Sequence, residues 1–474
     1  MRYFFAIGAF VAATAASTAS SANGRFPYAN QLVEQPGHPE VILARTTFGL
    51  LVSRDRGASW NWICEQIIGF TNGSDPSLAL FSDGSMAVAG FFGLAISHDK
   101  ACSFPFVPGG LEKQYVIDIV LDKQTPSRGL AITATAAPGG TKYSQLFETT
   151  DNGATWPAIG PQLDPNLIVT TIEAAPSRPQ RLYLSGGLID AAGRHGFVQS
   201  SEDRGLTWSS KVLIDTPSAY LSAVDPNDPD RVYVRAFNPF GDTLLVSTDG
   251  AKSFTKVITI TGAMLGFALS PDGSKVAIAG PSIGTMVAVT HAAGPTPDGG
   301  TDAGVDAGSD GGAAIVFEQR SKVPVTCLTW TAETLYGCGN PLEKSPFVIA
   351  KSSDEGATWS DAVLPGLCDI IGPQTTCGPT APAAVCISDP NPLPLVYDWP
   401  TQRKTFKCEG GAGGDAAADA GTQPPVLASD CFCHVPTAGR GSVGTAGLCI
   451  CGLLGAAAMA RGARRRSRRT SPKE

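Results

Sequence analysis

Short stretches in which apolar and polar residues alternate recur along most of the chain, and each follows a turn rich in Pro, Asp or Gly. Four of these turn-and-strand stretches read FSDGSMAVAG (81–90), APSRPQRLYL (175–184), DPNDPDRVYV (225–234) and SPDGSKVAIA (270–279). Alternation of this kind is typical of β-strands with one buried face, and Pro, Asp and Gly favour the turns between them. The pattern therefore predicts an all-β protein made of many short strands.

An eight-residue sequence, called the box below, recurs between these strands. Its copies are SRDRGASW (53–60), SHDKACSF (97–104), TTDNGATW (149–156), SEDRGLTW (201–208), STDGAKSF (247–254) and SSDEGATW (352–359). Successive copies start 44, 52, 52, 46 and 105 residues apart, and the last gap is about two periods. A degenerate seventh box is expected near Thr290 and His291, where the Gly/Asp/Ala run at 294–313 looks like a disordered insertion. Four strands per period predict a seven-bladed β-propeller of four-stranded antiparallel blades.

Each box contains residues suited to locking its own turn. The short Asp carboxylate can accept hydrogen bonds from backbone N–H groups of the turn, and Gly permits backbone conformations that other residues rarely adopt. Ser or Thr supplies a hydroxyl as a further hydrogen-bond partner. The large aromatic residue at the eighth position is expected to begin the fourth strand and to be buried between blades. The carboxylates are Asp55, Asp99, Asp151, Asp203, Asp249 and Asp354, and the aromatic residues are Trp60, Trp156, Trp208 and Trp359, with Phe104 and Phe254 as weaker substitutes. These repeated acids are interpreted as structural rather than catalytic.

The pattern S/T-x-D-x-G-x-T-W, which covers roughly residues 28–365, resembles the Asp-box or bacterial neuraminidase repeat. That repeat is found in sialidases, sortilin-type receptors, xyloglucan-cleaving glycosidases and photosystem assembly propellers. The resemblance implies a propeller. Because the motif stabilises blades in enzymes and binding proteins alike, it does not imply an activity.

Both ends of the chain suggest export. Residues 1–22 have an early Arg, an apolar run and small residues near Ala22, as a secretory signal does. Residues 441–460 carry no charge and are just long enough to span a bilayer as a helix, and an Arg-rich end follows. By the positive-inside rule, the end stays cytoplasmic and the propeller (23–365) lies outside.

The segment 429–474 resembles a short myxobacterial-type C-terminal sorting tail, with Cys431 and Cys433 ahead of the apolar stretch and the Arg cluster. The resemblance implies recognition by sorting or processing machinery and anchoring at the cell surface. Cys449 and Cys451 lie inside the apolar stretch, so which thiols are processed stays open. A metal site at the C-x-C-H and C-x-C sequences is the less favoured alternative, and no cofactor is expected.

Twelve cysteines divide into eight before the tail and four within it, and an even number in an exported region indicates disulfides. Cys327 and Cys338 flank a predicted hairpin and are expected to face each other. Cys64 and Cys102 remain as default partners. A Cys-rich appendage (366–408) that packs on the propeller, with open connectivity, contains Cys368, Cys377, Cys386 and Cys408. A flexible spacer (409–428) follows it.

The charge argues against nucleic acid as a partner of the exported part. The chain carries −7, but residues 440–474 hold eight Arg or Lys and one Glu, a net +7 that leaves −14 for residues 1–439. An acidic surface repels nucleic acid and anionic membranes. The tail segment is the expected membrane contact.

The face opposite the boxes is the expected ligand-binding face, because its loops mix aromatic and charged residues. Candidate contacts to an extracellular glycan or protein are Phe91, Phe92, Tyr143, Arg194, His195, Arg235, Phe240 and Lys344. Asp190, Asp242 and Glu343 are the acids that these loops offer.

No complete catalytic set emerges from the sequence. A sialidase needs an arginine cluster, a tyrosine nucleophile and acidic partners, and although Arg45, Arg194, Arg235 and Tyr143 supply such types, the expected Arg-Ile-Pro element is absent. Xyloglucan-cleaving enzymes of this kind work between two propellers, and one is predicted here. The favoured hypothesis is therefore a surface-anchored, non-catalytic propeller for binding or scaffolding. The alternative is a glycoside hydrolase acting outside the cell.

Overall fold

The computed structural model describes residues 28–69, 75–134, 143–290, 315–373, 377–378 and 380–385. The signal-like start, the run at 294–313, residues 386–408 of the appendage, the spacer, the sorting tail and its apolar stretch 441–460 lie outside the described residues. Within the described ranges, no helix is both long and apolar enough to cross a membrane.

Seven sheets follow one another along the chain, each built from consecutive antiparallel strands. Blade 1 contains β1 (Ala29–Gln35), β2 (His38–Thr46), β3 (Gly49–Ser53) and β4 (Asn61–Ile63). After the short helix α1 (Glu65–Ile68), blade 2 contains β5 (Ser77–Leu80), β6 (Met86–Gly90) and β7 (Gly93–Ser97), with one bridge from Ala95 to Phe106 in place of a fourth strand. Blade 3 contains β8 (Val116–Leu121), β9 (Gly129–Thr133), β10 (Leu146–Thr149) and β11 (Ala158–Ile159).

The remaining four blades repeat the same up-and-down order. Blade 4 contains β12 (Leu167–Ala175), β13 (Arg178–Asp190), β14 (Gly193–Ser201) and β15 (Val212–Ile214). Blade 5 contains β16 (Ser218–Val224), β17 (Val232–Phe237), β18 (Asp242–Ser247) and β19 (Thr255–Ile260). Blade 6 contains β20 (Gly266–Leu269), β21 (Lys275–Gly280), β22 (Gly284–Val289) and β23 (Glu318–Ser321), and blade 7 contains β24 (Cys327–Trp330), β25 (Leu335–Cys338), β26 (Ile349–Ser352) and β27 (Asp361–Leu364).

The first strands of the seven blades form the inner ring. Each first strand contacts the first strand of the next blade, and β24 of blade 7 contacts β1 of blade 1. The chain is therefore an all-β, seven-bladed propeller, as the repeat count predicts. The core lies between facing sheets of neighbouring blades, where the apolar faces of the short strands meet.

The box turns connect the third strand to the fourth, and each is locked from within as predicted. In blade 3, the Oδ1 of Asp151 accepts the backbone N–H of Thr155 at 2.9 Å and the hydroxyl of Thr149 at 2.7 Å. The Thr149 hydroxyl oxygen also accepts the backbone N–H of Gly153 at 3.0 Å. All six boxes repeat this arrangement, so the Asp and the first hydroxyl hold the turn together.

The fifth box residue needs the left-handed backbone region and packs against the preceding blade. Gly153 has φ +87°, and a Cβ at that position would lie 2.7 Å from the Ile96 side chain of blade 2. Ala101 and Ala251 occupy the same position in two boxes with φ of 71° and 64°. Close approach between blades therefore explains why Gly recurs there.

The box aromatics differ in burial. Trp60, Trp156 and Trp359 are buried, whereas Trp208 is half-buried. Each precedes the fourth strand by one to four residues, so the expectation that it begins that strand is wrong.

Blade 6 carries its inserted segment at the position where the other blades have a box. Strand β22 ends at Val289 and β23 begins at Glu318, and residues 291–314 lie outside the described residues. Thr290 donates its hydroxyl to the carbonyl of Gly273. The insertion thus falls between the third and fourth strands of the blade, where the degenerate box was expected.

Blade 7 and the following segment close the ring. Thr326 and Thr329 donate their hydroxyls to the carbonyls of Ala29 (3.0 Å) and Leu32 (2.9 Å) in blade 1. Strand β28 (Ile371–Pro373) then pairs in parallel with β4 and adds a fifth strand to blade 1. The start of the predicted appendage therefore contributes to the propeller sheet.

Two disulfides have both cysteines among the described residues. Cys327 and Cys338 are bonded across β24 and β25, which confirms that predicted pair. The default pairing of Cys64 with Cys102 is wrong, because Cys102 is bonded to Cys377 and Cys64 has another disulfide partner. The backbone N–H of Ala383 also bonds to the carbonyl of Cys102 at 3.0 Å, so the appendage lies against the blade 2 box.

The box carboxylates should make the fold sensitive to acid. Hydrogen bonds from the backbone N–H and hydroxyl of Thr358 lower the pKa of Asp354 to about 2. Burial opposes ionisation of Asp249, yet bonds from Ser253 and Ser247 lower its pKa to about 2 as well. A depressed carboxyl pKa stabilises the fold above the unfolded-state pKa of about 4, and that stabilisation is lost as the pH falls toward the folded-state pKa.

We therefore expect the free energy of unfolding to fall between about pH 4 and pH 2, measured by urea unfolding at a series of pH values. Asp354→Asn should flatten this dependence, whereas Asp361→Asn, at an exposed strand position outside the box, should not. Equal slopes for Asp354→Asn and the native protein would contradict the assignment.

Candidate functional site

The face opposite the boxes, called the box-free face below, is formed by the turns between second and third strands and by the connections between blades. Antiparallel strands alternate in direction, so these turns lie at the opposite end of each blade from the box. The turns are 46–49, 90–93, 133–146, 190–193, 237–242, 280–284 and 338–349 in blade order, of which 135–142 lies outside the described residues.

Four consecutive blades each present an exposed hydrophobic side chain on these turns or beside them. The fractional exposures are 51% for Phe92 (blade 2), 38% for Tyr143 (blade 3), 37% for Ile189 (blade 4) and 89% for Phe240 (blade 5). These four residues are called the hydrophobic arc. By contrast, the turns of blades 1 and 7 contain Phe48 and Phe347, which are fully buried. Three of the arc residues were predicted from the sequence, whereas Ile189 was not, because its position in a long hairpin carries no distinguishing sequence signal.

The turn that presents Phe92 is held in place by its neighbours. Phe91 stacks on Tyr115 with ring centroids 4.2 Å apart, and the carbonyl of Phe92 accepts the backbone N–H of Lys113 at 3.1 Å. Gly93 closes the turn with φ +137°. Phe91, also predicted as a ligand contact, is half-buried, whereas Phe92 is exposed.

The turn that presents Phe240 is held by Asn238. Its side-chain oxygen accepts the backbone N–H of Phe240 at 3.2 Å, and its carbonyl accepts the N–H of Gly241 at 3.0 Å. Gly241 has φ +152°. This local hydrogen bonding leaves the ring exposed on an ordered turn.

Blade 4 contributes a longer hairpin than its neighbours. Ile189 lies opposite Arg194, and Asp190 closes the tip by accepting the N–H groups of Ala192 and Gly193. Arg194 is exposed and donates to the carbonyl of Pro217 in the connection to blade 5 at 3.0 Å. His195, also a predicted contact, is partly exposed one residue further along β14.

Arg235 and Asp242 form a buried ion pair and are not available on this face. Their exposures are 2% and 1%, and Nη2 of Arg235 lies 2.7 Å from Oδ2 of Asp242. The same oxygen accepts the backbone N–H of Met264 at 2.8 Å. Burial lowers the pKa of Arg235, although the Asp242 carboxylate opposes this. Arg235 was predicted to contact a ligand, and in the structure its side chain is buried in this ion pair.

Aromatic side chains fill the region behind the arc. The guanidinium of Arg235 lies 5.6 Å from the ring centre of Tyr220, which packs in the same apolar cluster as Tyr115. Burial, together with the nearby Asp75 carboxylate, raises the pKa of the Tyr115 hydroxyl well above its usual range. Tyr115 therefore stays neutral at ordinary pH, and it packs with Tyr220 in this cluster.

The arginines proposed for a sialidase do not form an accessible cluster. Arg45 is 1% exposed and donates to the side-chain oxygen of Asn30 at 2.6 Å and to the carbonyl of Pro76 at 2.7 Å. Arg235 is buried in its ion pair, and Arg194 lies at the surface of blade 4. A carboxylate ligand would therefore meet one exposed arginine of the three.

The acids predicted from the loops are also separated. Asp190 is at the exposed tip of blade 4, and Glu343 is exposed in blade 7 beside Lys344, three blades away around the ring. Asp242 is neutralised by Arg235. In the described ranges, no group of three or more His, Cys, Asp or Glu residues is arranged to hold a metal ion.

Comparisons with known proteins locate the chain by fold. No family model matches it, and neither does any curated protein. Among solved structures, it is similar to an ancestral GH74 enzyme, with 14% identity over 66% of this chain and 44% of that chain and a TM-score of 0.50. It is also similar to hydrazine synthase of Kuenenia stuttgartiensis, with 9% identity over 71% of this chain and 98% of that chain and a TM-score of 0.49. A third similar structure is that of the WD40 repeats of RRP9, with 11% identity over 67% of this chain and 89% of that chain and a TM-score of 0.45.

Similarity at these identities concerns the fold alone, and the chain spans less than half the length of the GH74 enzyme. The chain is a seven-bladed β-propeller with GH74 enzymes among its structural neighbours.

Proposed function

We propose that this chain is an exported, non-catalytic propeller that binds an extracellular glycan or protein through the hydrophobic arc. The observation that carries the proposal is the exposure of Phe92, Tyr143, Ile189 and Phe240 on four consecutive blades of one face. Large aromatic side chains exposed on ordered turns supply contact area at little entropic cost on binding. Exposed hydrophobic groups that recur on one face of a protein are typical of interaction sites.

The positions and hydrogen-bond partners of the carboxylates favour a binding function over hydrolysis. A glycosidase needs two carboxyl groups within about 5–10 Å of each other across a cleft. Asp242 forms a buried ion pair with Arg235. Asp190 and Glu343 lie on blades 4 and 7, so they do not form a pair across a cleft. The box carboxylates accept hydrogen bonds within their own turns. We also assign the repeats to the Asp-box type, supported by the same internal hydrogen bonds in six blades.

A glycoside hydrolase is the second candidate, supported by the fold similarity to a GH74 enzyme. It predicts release of reducing ends from a polysaccharide, abolished by one loop-acid substitution such as Asp190→Asn. Such release would replace the binding proposal.

The double variant Phe92→Ala/Phe240→Ala should lose most ligand capture while keeping its fold. Each exposed ring is expected to contribute on the order of tenfold in affinity, so the pair should weaken capture about a hundredfold. The measurement is retention of the purified protein on an array of glycans and surface proteins, with circular dichroism to check the fold. Leu206→Ala is the matched control, because Leu206 is 59% exposed but lies in a box. Unchanged capture by the double variant would refute the site.

The export part of the proposal is supported by the disulfides, which persist in oxidising compartments. The signal-like residues 1–22 direct export, and the tail with Cys431 and Cys433 anchors the propeller at the cell surface. Deleting residues 429–474 should release soluble protein into the medium, detected by immunoblotting of cell and medium fractions. Retention of the shortened protein in the envelope would refute anchoring.

A further inference from the structure

Several charged side chains on the box-free face lie next to charges of opposite sign. Lys113 lies 3.5 Å from Glu112, beside the turn of Phe92. Lys211 lies 3.1 Å from Asp164 at the connection into blade 4. Charges of opposite sign at such distances cancel beyond a Debye length of about 8 Å at physiological salt. The field that a ligand meets at this part of the face is therefore weak.

Opposite charges are also neighbours at other blades of this face, although Asp215 and Lys322, exposed in the connections to blades 5 and 7, form no ion pair with a described residue. In blade 4, Asp190 and Arg194 belong to one hairpin tip, and in blade 7, Glu343 and Lys344 are adjacent in sequence. In blade 5, Arg235 and Asp242 cancel inside the fold. This balance differs from residues 1–439 as a whole, which carry a net charge of −14. The neighbouring opposite charges described beside the hydrophobic arc thus sum to zero, and Asp215, exposed in the connection from blade 4 to blade 5, adds one negative charge.

The arc also spaces its contacts regularly. Its four side chains belong to four successive blades, so each is displaced from the last by one step around the ring. The turns of Phe92 and Phe240 are held by backbone and Asn238 hydrogen bonds, so the spacing is built before a ligand arrives. A ligand made of identical units along a chain can meet such contacts repeatedly.

We propose that the ligand of the hydrophobic arc is an uncharged polysaccharide chain that lies across blades 2 to 5. This inference rests on the proposed function and names its ligand class. The apolar C–H faces of neutral sugar rings stack on Phe92, Tyr143 and Phe240, and Ile189 supplies an aliphatic contact between Tyr143 and Phe240. Arg194 and Asp190 at the hairpin tip donate to and accept from hydroxyl groups. A polyanion gains nothing from turns and connections whose described charges carry no net positive charge, and the acidic remainder of residues 1–439 repels it.

Several contacts of modest strength on one polymer make binding depend on chain length. An oligosaccharide that reaches one ring loses the contribution of the others, whereas a polymer engages them together. We therefore expect long chains to bind at least tenfold more tightly per chain than trisaccharides of the same sugar.

The test is affinity electrophoresis and calorimetry of the full chain with two sets of polysaccharides. The neutral set is a mixed-linkage β-glucan, galactomannan and xyloglucan, and the anionic set is alginate and polygalacturonate, each at 50 mM and 500 mM NaCl. The expected result is retention by at least one neutral polymer, with less than a twofold change between the two salt concentrations. Phe240→Ala should weaken that retention about tenfold, whereas Leu206→Ala should leave it unchanged.

Two outcomes overturn the inference while leaving the proposed function intact. The first is retention by anionic polymers alone, lost at 500 mM NaCl and reduced by Phe240→Ala. The second is capture of a protein ligand, reduced by Phe240→Ala, with no retention by any neutral polymer. If neither Phe92→Ala nor Phe240→Ala changes the binding of any captured ligand, the proposed function fails as well.

Discussion

Trp60→Ala should lower the free energy of unfolding by about 3–5 kcal/mol, as expected for removal of a fully buried large aromatic side chain. Trp60 is 1% exposed and belongs to the apolar cluster that joins blades 7 and 1. Its indole N–H donates to the carbonyl of Val363 in β27 at 3.2 Å. The substitution therefore opens a cavity and removes a hydrogen bond at the junction where the ring closes.

Urea unfolding followed by tryptophan fluorescence and circular dichroism measures this loss, and Trp208→Ala is the matched comparison. Trp208 occupies the same box position in blade 4 but is half-buried, so its loss should be clearly smaller. Equal destabilisation by the two substitutions would show that the box position, rather than burial at the closing junction, sets the cost.

Arg235→Ala should also cost about 3–5 kcal/mol, because it leaves the Asp242 carboxylate buried without its ionic partner. The Nε of Arg235 donates to Oδ2 of Asp242 at 2.8 Å, and Nη2 of Arg235 lies 2.7 Å from the same oxygen. The backbone N–H of Met264 is the remaining described partner of that oxygen and cannot neutralise it. The variant should unfold at lower urea concentration and show reduced ligand capture only in proportion to its unfolded fraction.

The control for this prediction is the double variant Arg235→Met/Asp242→Leu. Removing both charges avoids an unpaired carboxylate, so this variant should be more stable than Arg235→Ala. Arg194→Ala, at an exposed position, should change stability by less than about 1 kcal/mol. If Arg235→Ala were as stable as the native protein yet failed to capture ligand, Arg235 would be a binding residue and the buried-pair interpretation would fall.

The repeat, the number of blades and the locked turns could be predicted from the sequence because they depend on local chemistry. Asp151 and Thr149 act within the same turn, so spacing along the chain is enough to foresee their hydrogen bonds. The pairing of Cys327 with Cys338 is equally local, since they end one hairpin. The position of the insertion in blade 6 follows from the period of the boxes.

Contacts between distant residues depended on tertiary structure. Cys102 bonds to Cys377, 275 residues away, because the segment after blade 7 lies against the blade 2 box, and no local pattern encodes that proximity. Likewise, β28 joins blade 1 only because the closed ring brings the two ends of the propeller together.

For the candidate site as well, some features could be predicted from the sequence and others depended on the packing of the blades. Aromatic and charged residues could be assigned to loops of the box-free face from the sequence, because strand alternation determines which turns share a face. Which of these residues meet solvent depends on how the blades pack. Phe92 and Phe240 are exposed on turns held by local hydrogen bonds. Arg235 is buried, and the Asp242 carboxylate beside it offsets the free-energy cost of burying its charge. Exposure is a property of how blades pack against each other, and the order of residues along one strand does not determine it.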